Sequence, residues 1–262
     1  MPRKTKAVHR VLNCIHSRDT EKDWRFEHAA AAGIVARKRL PPSVDLRDQS
    51  WWPAGDQGQT GSCVGWATAD GVLRWHFTKA HRIAKNEMVA VRFIWMAAKE
   101  TDIYTSYAST FLELDGTSLK AALDVARKFG TVKDSVLPFT PPKLYGGEAQ
   151  TFYTLAAQLR IVSYHNLGTR PDDWRTWLAQ HGPILTRLDV DDTWMNVGTN
   201  GKLDVYHEPP GPAGHAVTLV GYTPDRFIVR NSWGDGWGDK GFAYASLPYA
   251  AAAFDEAYGV TA

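Results

Sequence analysis

The sequence predicts an α+β protein with a helical part followed by a sheet-rich part. Three observations carry that prediction. Apolar residues recur at helical spacing through much of the first 180 residues; short extended segments dominate after residue 180; and no internal repeat or low-complexity tract interrupts the chain. At 262 residues, with 44% apolar and 22% charged residues, the composition is that of a chain able to bury its own core.

The elements follow in order. Residues 1–40 form a basic arm, with ten Lys/Arg (among them Arg3, Lys4, Lys6, Arg10 and Arg37) against four acids, which leaves 20 − 24 = −4 for the remainder. Such an arm either lies against the acidic body or is a flexible leader. It ends at Leu40-Pro41-Pro42, where paired prolines enforce extended backbone. A loop from Asp48 to Ser62, punctuated by Gly55, Gly58 and Gly61, leads to a helix starting at Cys63 with Ser62 as its cap. Its buried face is expected to run Val64, Ala67, Gly71, Trp75. A second helix is expected near residues 88–100. A third, after Ser118, carries Leu119, Ala122, Leu123, Ala126 and Phe129 and stops at Gly130. Shorter helices are expected at 149–159 and at 171–180, where Pro171 suits a first helical position. Strands are expected at 184–188, 216–222 and 226–230, the last two joined by Thr223-Pro224-Asp225.

Several classes are excluded. A net charge of +2 gives no reason to expect nucleic acid as partner. No stretch is apolar and long enough for a membrane span or a signal peptide. Two cysteines, Cys14 and Cys63, rule out a disulfide-dense scaffold and suit a reducing compartment: a cytoplasmic protein, or one exported without an N-terminal signal. There is no zinc-type Cys/His spacing and no phosphate loop, so no metal or cofactor is expected.

The chemistry concentrates on three places. Cys63 follows a glycine-rich approach and opens a helix, whose free N–H groups and dipole favour thiolate; it reads as a nucleophile or as a buried structural thiol. Among nine histidines, His9, His16, His28, His76 and His81 stand in charged, exposed contexts, while His215 begins the most apolar strand. Sixteen residues on, Asn231 opens Asn231-Ser232-Trp233-Gly234, and a hairpin would set the two side by side. Cys14 reads as a passive thiol.

Gln57-Gly58-x-x-Gly61-Ser62-Cys63, Gly214-His215-Ala216-Val217 with Gly221-Tyr222, the run from Asn231 to Phe242, and Val44-Asp45-Leu46-Arg47 together resemble the papain-like cysteine proteases, in the family's order, from about residue 40 to 245. The resemblance implies a papain-like two-lobe fold: a helical lobe (41–135) and a β-barrel-like lobe (136–262) facing across a cleft. It also implies a bacterial or otherwise intracellular, disulfide-free relative, since Thr60 replaces a usual cysteine. It implies roles as well. Cys63 is the nucleophile, His215 its proton partner and Asn231 the group that orients His215. Trp233 covers that bond, and Gln57 with the Cys63 N–H forms the oxyanion hole. Gly61, Ser62, Gly116, Gly214, Ala216 and Trp233 would border the bound peptide. Asp115 departs from the family's Gly-Gly pair and adds negative charge. Arg187 falls where a small side chain usually lines the main specificity pocket; it either charges that pocket or pairs with an acid such as Asp189. Val64 replaces a bulky aromatic. The arm is too short for the family's helical prosegment but long enough to reach a cleft, which it would partly cover. The implied function is a cysteine endopeptidase acting on a protein or peptide substrate through an acyl-enzyme. The alternatives are a narrow-specificity effector protease, an acyl transferase with the same site, and a non-catalytic peptide-binding relative.

Overall fold

The computed structural model describes residues 10–36, 38–102 and 105–262. Of the residues singled out above, Arg3, Lys4, Lys6, His9 and Arg37 lie outside the described ones.

Residues 10–36 and 38–40 run along the body. Helix α1 (Phe26–Ala31) buries Ala29. The segment after it is tied by paired bonds between Gln180 and the Ala36 backbone, 2.8 and 2.9 Å. Strand β1 (Val44–Asp45) then joins the sheet beside Tyr222 and Gly221.

The helix at Cys63 differs from its expected form. It begins as α2 (Cys63–Gly65), widens into π-type turns over Trp66–Leu73, and continues as α3 (Arg74–Lys79). Ser62 makes no capping bond; its hydroxyl instead pairs with that of Thr60 at 2.6 Å. Nor is there a single apolar stripe, since every residue from Cys63 to Leu73 is buried. A helix covered on all sides has no periodic signature to read. Gly71 lets the π segment press against the sheet, where a Cβ would collide with Thr218 Oγ1. That hydroxyl donates to the Ala67 carbonyl at 3.1 Å, satisfying an acceptor in the widened turns.

Helix α4 (Val91–Thr101) starts three residues later than expected, because Val89 is held in a bridge to Lys133. Helix α5 (Leu119–Lys128) is capped by Ser118 accepting from Ala121 N–H, and Gly130 beyond it takes a positive φ of 87°. After α6 (Ala149–Ala157) and β2 (Ser163–Asn166), α7 (Pro171–Gln180) leads into β3 (Ile184–Asp189). Then come α8 (Asp192–Met195), β4 (Lys202–Leu203), β5 (Gly214–Tyr222), β6 (Arg226–Arg230), β7 (Phe242–Ser246), α9 (Leu247–Ala253) and β8 (Phe254–Thr261).

The sheet runs β2-β8-β3-β5-β6-β7-β4, with β1 paired to β5 off this path and no pairing between its ends, so it is an open sheet. Its middle strands are buried on both faces. Leu185, Ala216, Tyr258 and Val260 join the core that holds α2 to α5. Ile184, Leu188, Val217, Leu219 and Ala257 join a second core with Trp174 and Trp177 of α7 and Tyr249 of α9. Helices α2 to α5 thus stand on one face and α7 and α9 on the other, each with its own core, and the start of α2 lies beside the start of β5. Among the described residues, no helix is long and apolar enough to cross a membrane.

Candidate active site

Cys63 is fully buried at the first residue of α2. His215, the second residue of β5, stands beside it, close enough for its charge to act on the sulfur. Asn231 follows the last residue of β6, and its Oδ1 lies 2.8 Å from His215 Nε2. Oδ1 also accepts the Ser232 backbone N–H at 2.8 Å. The amide oxygen therefore faces the ring, and Nε2 carries the hydrogen. Nδ1, buried and with no hydrogen-bond partner among the described residues, is the nitrogen left to face the sulfur. The strand pair β5–β6 sets this up: Thr218 lies opposite Arg230, and an irregularity near Val220 adjusts the register before the chain turns into the Asn231 loop.

Aromatic rings seal the series. The Trp233 ring lies over the imidazole, centroids 4.9 Å apart and tilted by 36°. Trp194 meets the same imidazole edge-on at 6.1 Å. Trp237 packs against Trp194 and donates its N–H to the Trp194 carbonyl at 3.1 Å. Trp194 was not singled out from the sequence. Its signal is local: Asp191 caps α8 by accepting the Trp194 N–H.

Gln57 is held from three sides. Its backbone N–H donates to the Ser232 carbonyl at 2.8 Å, its Oε1 accepts from the Ser232 hydroxyl at 2.8 Å, and its Nε2 donates to the Thr60 carbonyl at 3.0 Å. One amide hydrogen on Nε2 remains.

The arm occupies the groove that these residues border. Arg10 donates to Asp56 at 3.0 Å, to the Gly58 carbonyl at 3.2 Å and to the Trp233 carbonyl at 2.9 Å. The Asn13 amide donates to the Leu114 carbonyl. Cys14 N–H donates to the Gly214 carbonyl at 2.9 Å, and Ile15 N–H to Thr117 at 3.2 Å. The chain passes between bare Cα positions: a Cβ on Gly61 or Gly116 would collide with Asn13, and one on Gly214 with the Cys14 carbonyl. Beyond the groove, Ser17 N–H reaches Glu256 at 2.8 Å, and Lys120 pairs with Asp23 at 2.5 Å.

Electrostatics at the sulfur are unequal. The neighbouring Cys14 thiol, and after it the charge of His215, hold the Cys63 thiol well below the ordinary thiol range, against the opposing pull of burial. Burial, with the charge on Cys63, pushes Cys14 well up. Cys14 is therefore the sulfur that keeps its proton, donating it to the Ile15 carbonyl at 3.8 Å, and Cys63 is the thiolate.

The other predicted residues fall as follows. Ala216 supplies a backbone contact to Cys63. Gly61 is anchored by its N–H to the Glu113 carbonyl at 2.7 Å. The Asp115 carboxylate accepts from Tyr107 at 3.2 Å and its carbonyl from Trp95 at 3.0 Å. Arg187 is buried and opposite Ala216 in register. It pairs with Asp189 at 3.0 Å and with Asp255, and its Nε donates to the Cys14 carbonyl at 3.2 Å. The pairing alternative is the geometry present, and a ligand there meets a neutralised guanidinium flanked by carboxylates. His76 departs from its expected exposure: packed near His181, it is pushed by burial down to about 4.

A thiol, an imidazole and an amide in series keep a sulfur nucleophile charged away from water, and the thiol-dependent hydrolases are the class built on that device. The chain belongs to the papain family of cysteine proteases, whose family model matches residues 40–249. It is 25% identical over 235 residues to cathepsin B-like CP3 of Giardia intestinalis, covering 83% of this chain and 73% of that one. It is 29% identical to mouse cathepsin O over 123 residues, which span 44% of this chain but 37% of the relative. Among solved structures, xylellain, a cysteine protease from Xylella fastidiosa, superposes with a TM-score of 0.74 over 96% of both chains at 22% identity. Digestive procathepsin L 3 of Tenebrio molitor superposes at 0.71, with 18% identity, over 96% of this chain and 77% of that one. These structures share the papain-like fold.

Proposed function

We propose that the chain is a cysteine endopeptidase whose N-terminal arm holds its own cleft closed. The observation that carries this reading is the unbroken series Cys63–His215–Asn231, with residues 10–16 lying across it. In the open enzyme the Cys63 thiolate attacks the scissile carbonyl. The developing oxyanion is met by the remaining Gln57 amide hydrogen and the Cys63 backbone N–H. His215 protonates the departing amine, and water, activated by the same imidazole, releases the acyl group. Asn231 keeps the ring turned with Nδ1 toward sulfur throughout.

The arm is not presented as a substrate. The Asn13 carbonyl faces Gly116, and the Cys14 carbonyl faces Gly214 and Arg187. The Cys14 carbonyl already accepts from Arg187, so the groove is filled by a segment whose carbonyls are turned to other partners.

The test is hydrolysis of casein and of a mixed peptide library by the full chain, before and after the arm is nicked by limited proteolysis. Activity should rise once the arm is nicked. Turnover of a few peptides with casein untouched would keep the chemistry and select the narrow-specificity reading. Silence in both forms toward both substrates would overturn the assignment.

A further inference from the structure

We propose that Cys14 is a resolving thiol for Cys63, so that a peroxide converts the pair into an intramolecular disulfide that fastens the arm and blocks the nucleophile reversibly. The proposal rests on the reading of Cys63 as a reactive thiolate.

The chain has two cysteines, 49 positions apart in sequence. Their side chains act on each other electrostatically and both are buried in the same apolar cluster, with the Cys14 backbone packed on Gly214, the residue before His215. The backbone at Cys14 is fixed on both sides of its peptide unit, by the Gly214 carbonyl and by Arg187 Nε. The close approach of the arm depends on three positions without side chains, Gly61, Gly116 and Gly214. A plug needs only a small residue at position 14. A thiol there adds something a plug does not need: a second sulfur in the same buried cluster as the first. The unequal protonation of the two suits the chemistry, with one sulfur ready to attack and the other holding its proton.

The steps balance with a hydroperoxide as oxidant. The Cys63 thiolate attacks one peroxide oxygen, the O–O bond breaks, and the departing hydroxide takes the proton of the His215 imidazolium and leaves as water, giving a sulfenic acid on Cys63 beside a neutral imidazole. Cys14 gives its proton to His215 and attacks the Cys63 sulfur. The S–S bond forms, the S–O bond breaks, and the departing hydroxide takes the proton from His215 as water. Two thiols lose two electrons, and the peroxide is reduced to two waters. A dithiol reverses the change by exchange through a mixed disulfide. While joined, Cys63 is protected from irreversible oxidation to sulfinic acid.

The test is intact-mass spectrometry of the full chain under non-reducing conditions after hydrogen peroxide, with Cys14→Ser and Cys14→Ala in parallel. Wild type should lose about 2 Da, yield a digest fragment joining the Cys14 and Cys63 peptides, and return to its starting mass with dithiothreitol. Both variants should instead gain about 32 Da on Cys63, which dithiothreitol does not remove. Melting temperatures close to wild type show that the variants are folded. A wild type that gains about 32 Da with no joined peptide would overturn the proposal. Cys63→Ala, assayed on the substrate the enzyme cuts, separates the two readings. A joined peptide in wild type alongside an active Cys63→Ala would leave the disulfide standing and remove the nucleophile. No joined peptide alongside an inactive Cys63→Ala would do the reverse.

Discussion

Cys63→Ala is expected to lower turnover by about 10⁶-fold, down to what the remaining groups supply by binding and polarisation alone. On the proposed mechanism the acyl-enzyme cannot form without the sulfur, and Cys14, the other thiol, would leave the groove with the arm. Stability should move little. Cys63 is packed in the apolar core, but alanine removes a single sulfur atom there, and an imidazole, unlike an arginine, can become neutral when its counter-charge is gone. Gln57→Ala removes one oxyanion donor and should cost about 10²–10³ in turnover, so the two variants separate nucleophile from polarisation. Cys63→Ala retaining more than a few per cent of activity in the arm-released protein would refute the mechanism.

Asp70→Ala is expected to be the most damaging single change to stability away from the catalytic series. Asp70 is fully buried in the π segment between two guanidinium groups. Its Oδ1 accepts from Arg74 at 2.9 Å, and its Oδ2 accepts from Arg230. Each arginine also donates to a backbone carbonyl at 2.5 Å, Arg74 to Trp51 and Arg230 to Pro53. Removing the carboxylate leaves two buried cations facing each other with no counter-charge. Breaking a buried pair in this way costs about 3–5 kcal/mol, which for a chain of this size lowers the melting temperature by about 10 °C. The change also reaches the active site, because Arg230 immediately precedes Asn231 on β6. Calorimetry of Asp70→Ala should show that loss; a melting temperature within about 2 °C of wild type would mean the triad carries little of the fold.

Much of this site was legible in the residues, for local reasons. The glycine-rich approach to Cys63, the apolar strand from His215 and the turn after Asn231 are each short-range patterns, and a hairpin is the simplest way to join the last two. What escaped reading depends on long-range contact. Nothing in the spacing of Cys14 and Cys63 says that the arm will double back so that two thiols meet. Ser62 matched the preference for a cap, but Thr60 competes for its hydroxyl. The stripe Val64, Ala67, Gly71, Trp75 was sought on a helix that is buried all round, and the π turns that let it meet Thr218 have no periodic signal. Asp70, an acid amid an apolar run, was the one visible irregularity there, and its two arginine partners sit 4 and 160 positions away. Arg187 was ambiguous between a free and a paired charge because the deciding carboxylate, Asp255, lies on a distant strand.

The most direct test of the account is labelling of Cys63 by an epoxysuccinyl-peptide inhibitor, followed by intact mass, in the wild-type chain and in Arg10→Ala/Asn13→Ala. Those two side chains make four hydrogen bonds that hold the arm in the groove. At about 1 kcal/mol each, their loss should raise the open population, and with it the labelling rate, on the order of 10²–10³-fold. The account predicts slow labelling of wild type, fast labelling of the double variant, and a single adduct on Cys63 in both. Equally fast labelling of the two chains would show that residues 10–16 do not close the cleft, and the absence of an adduct in either would contradict a reactive thiolate at Cys63.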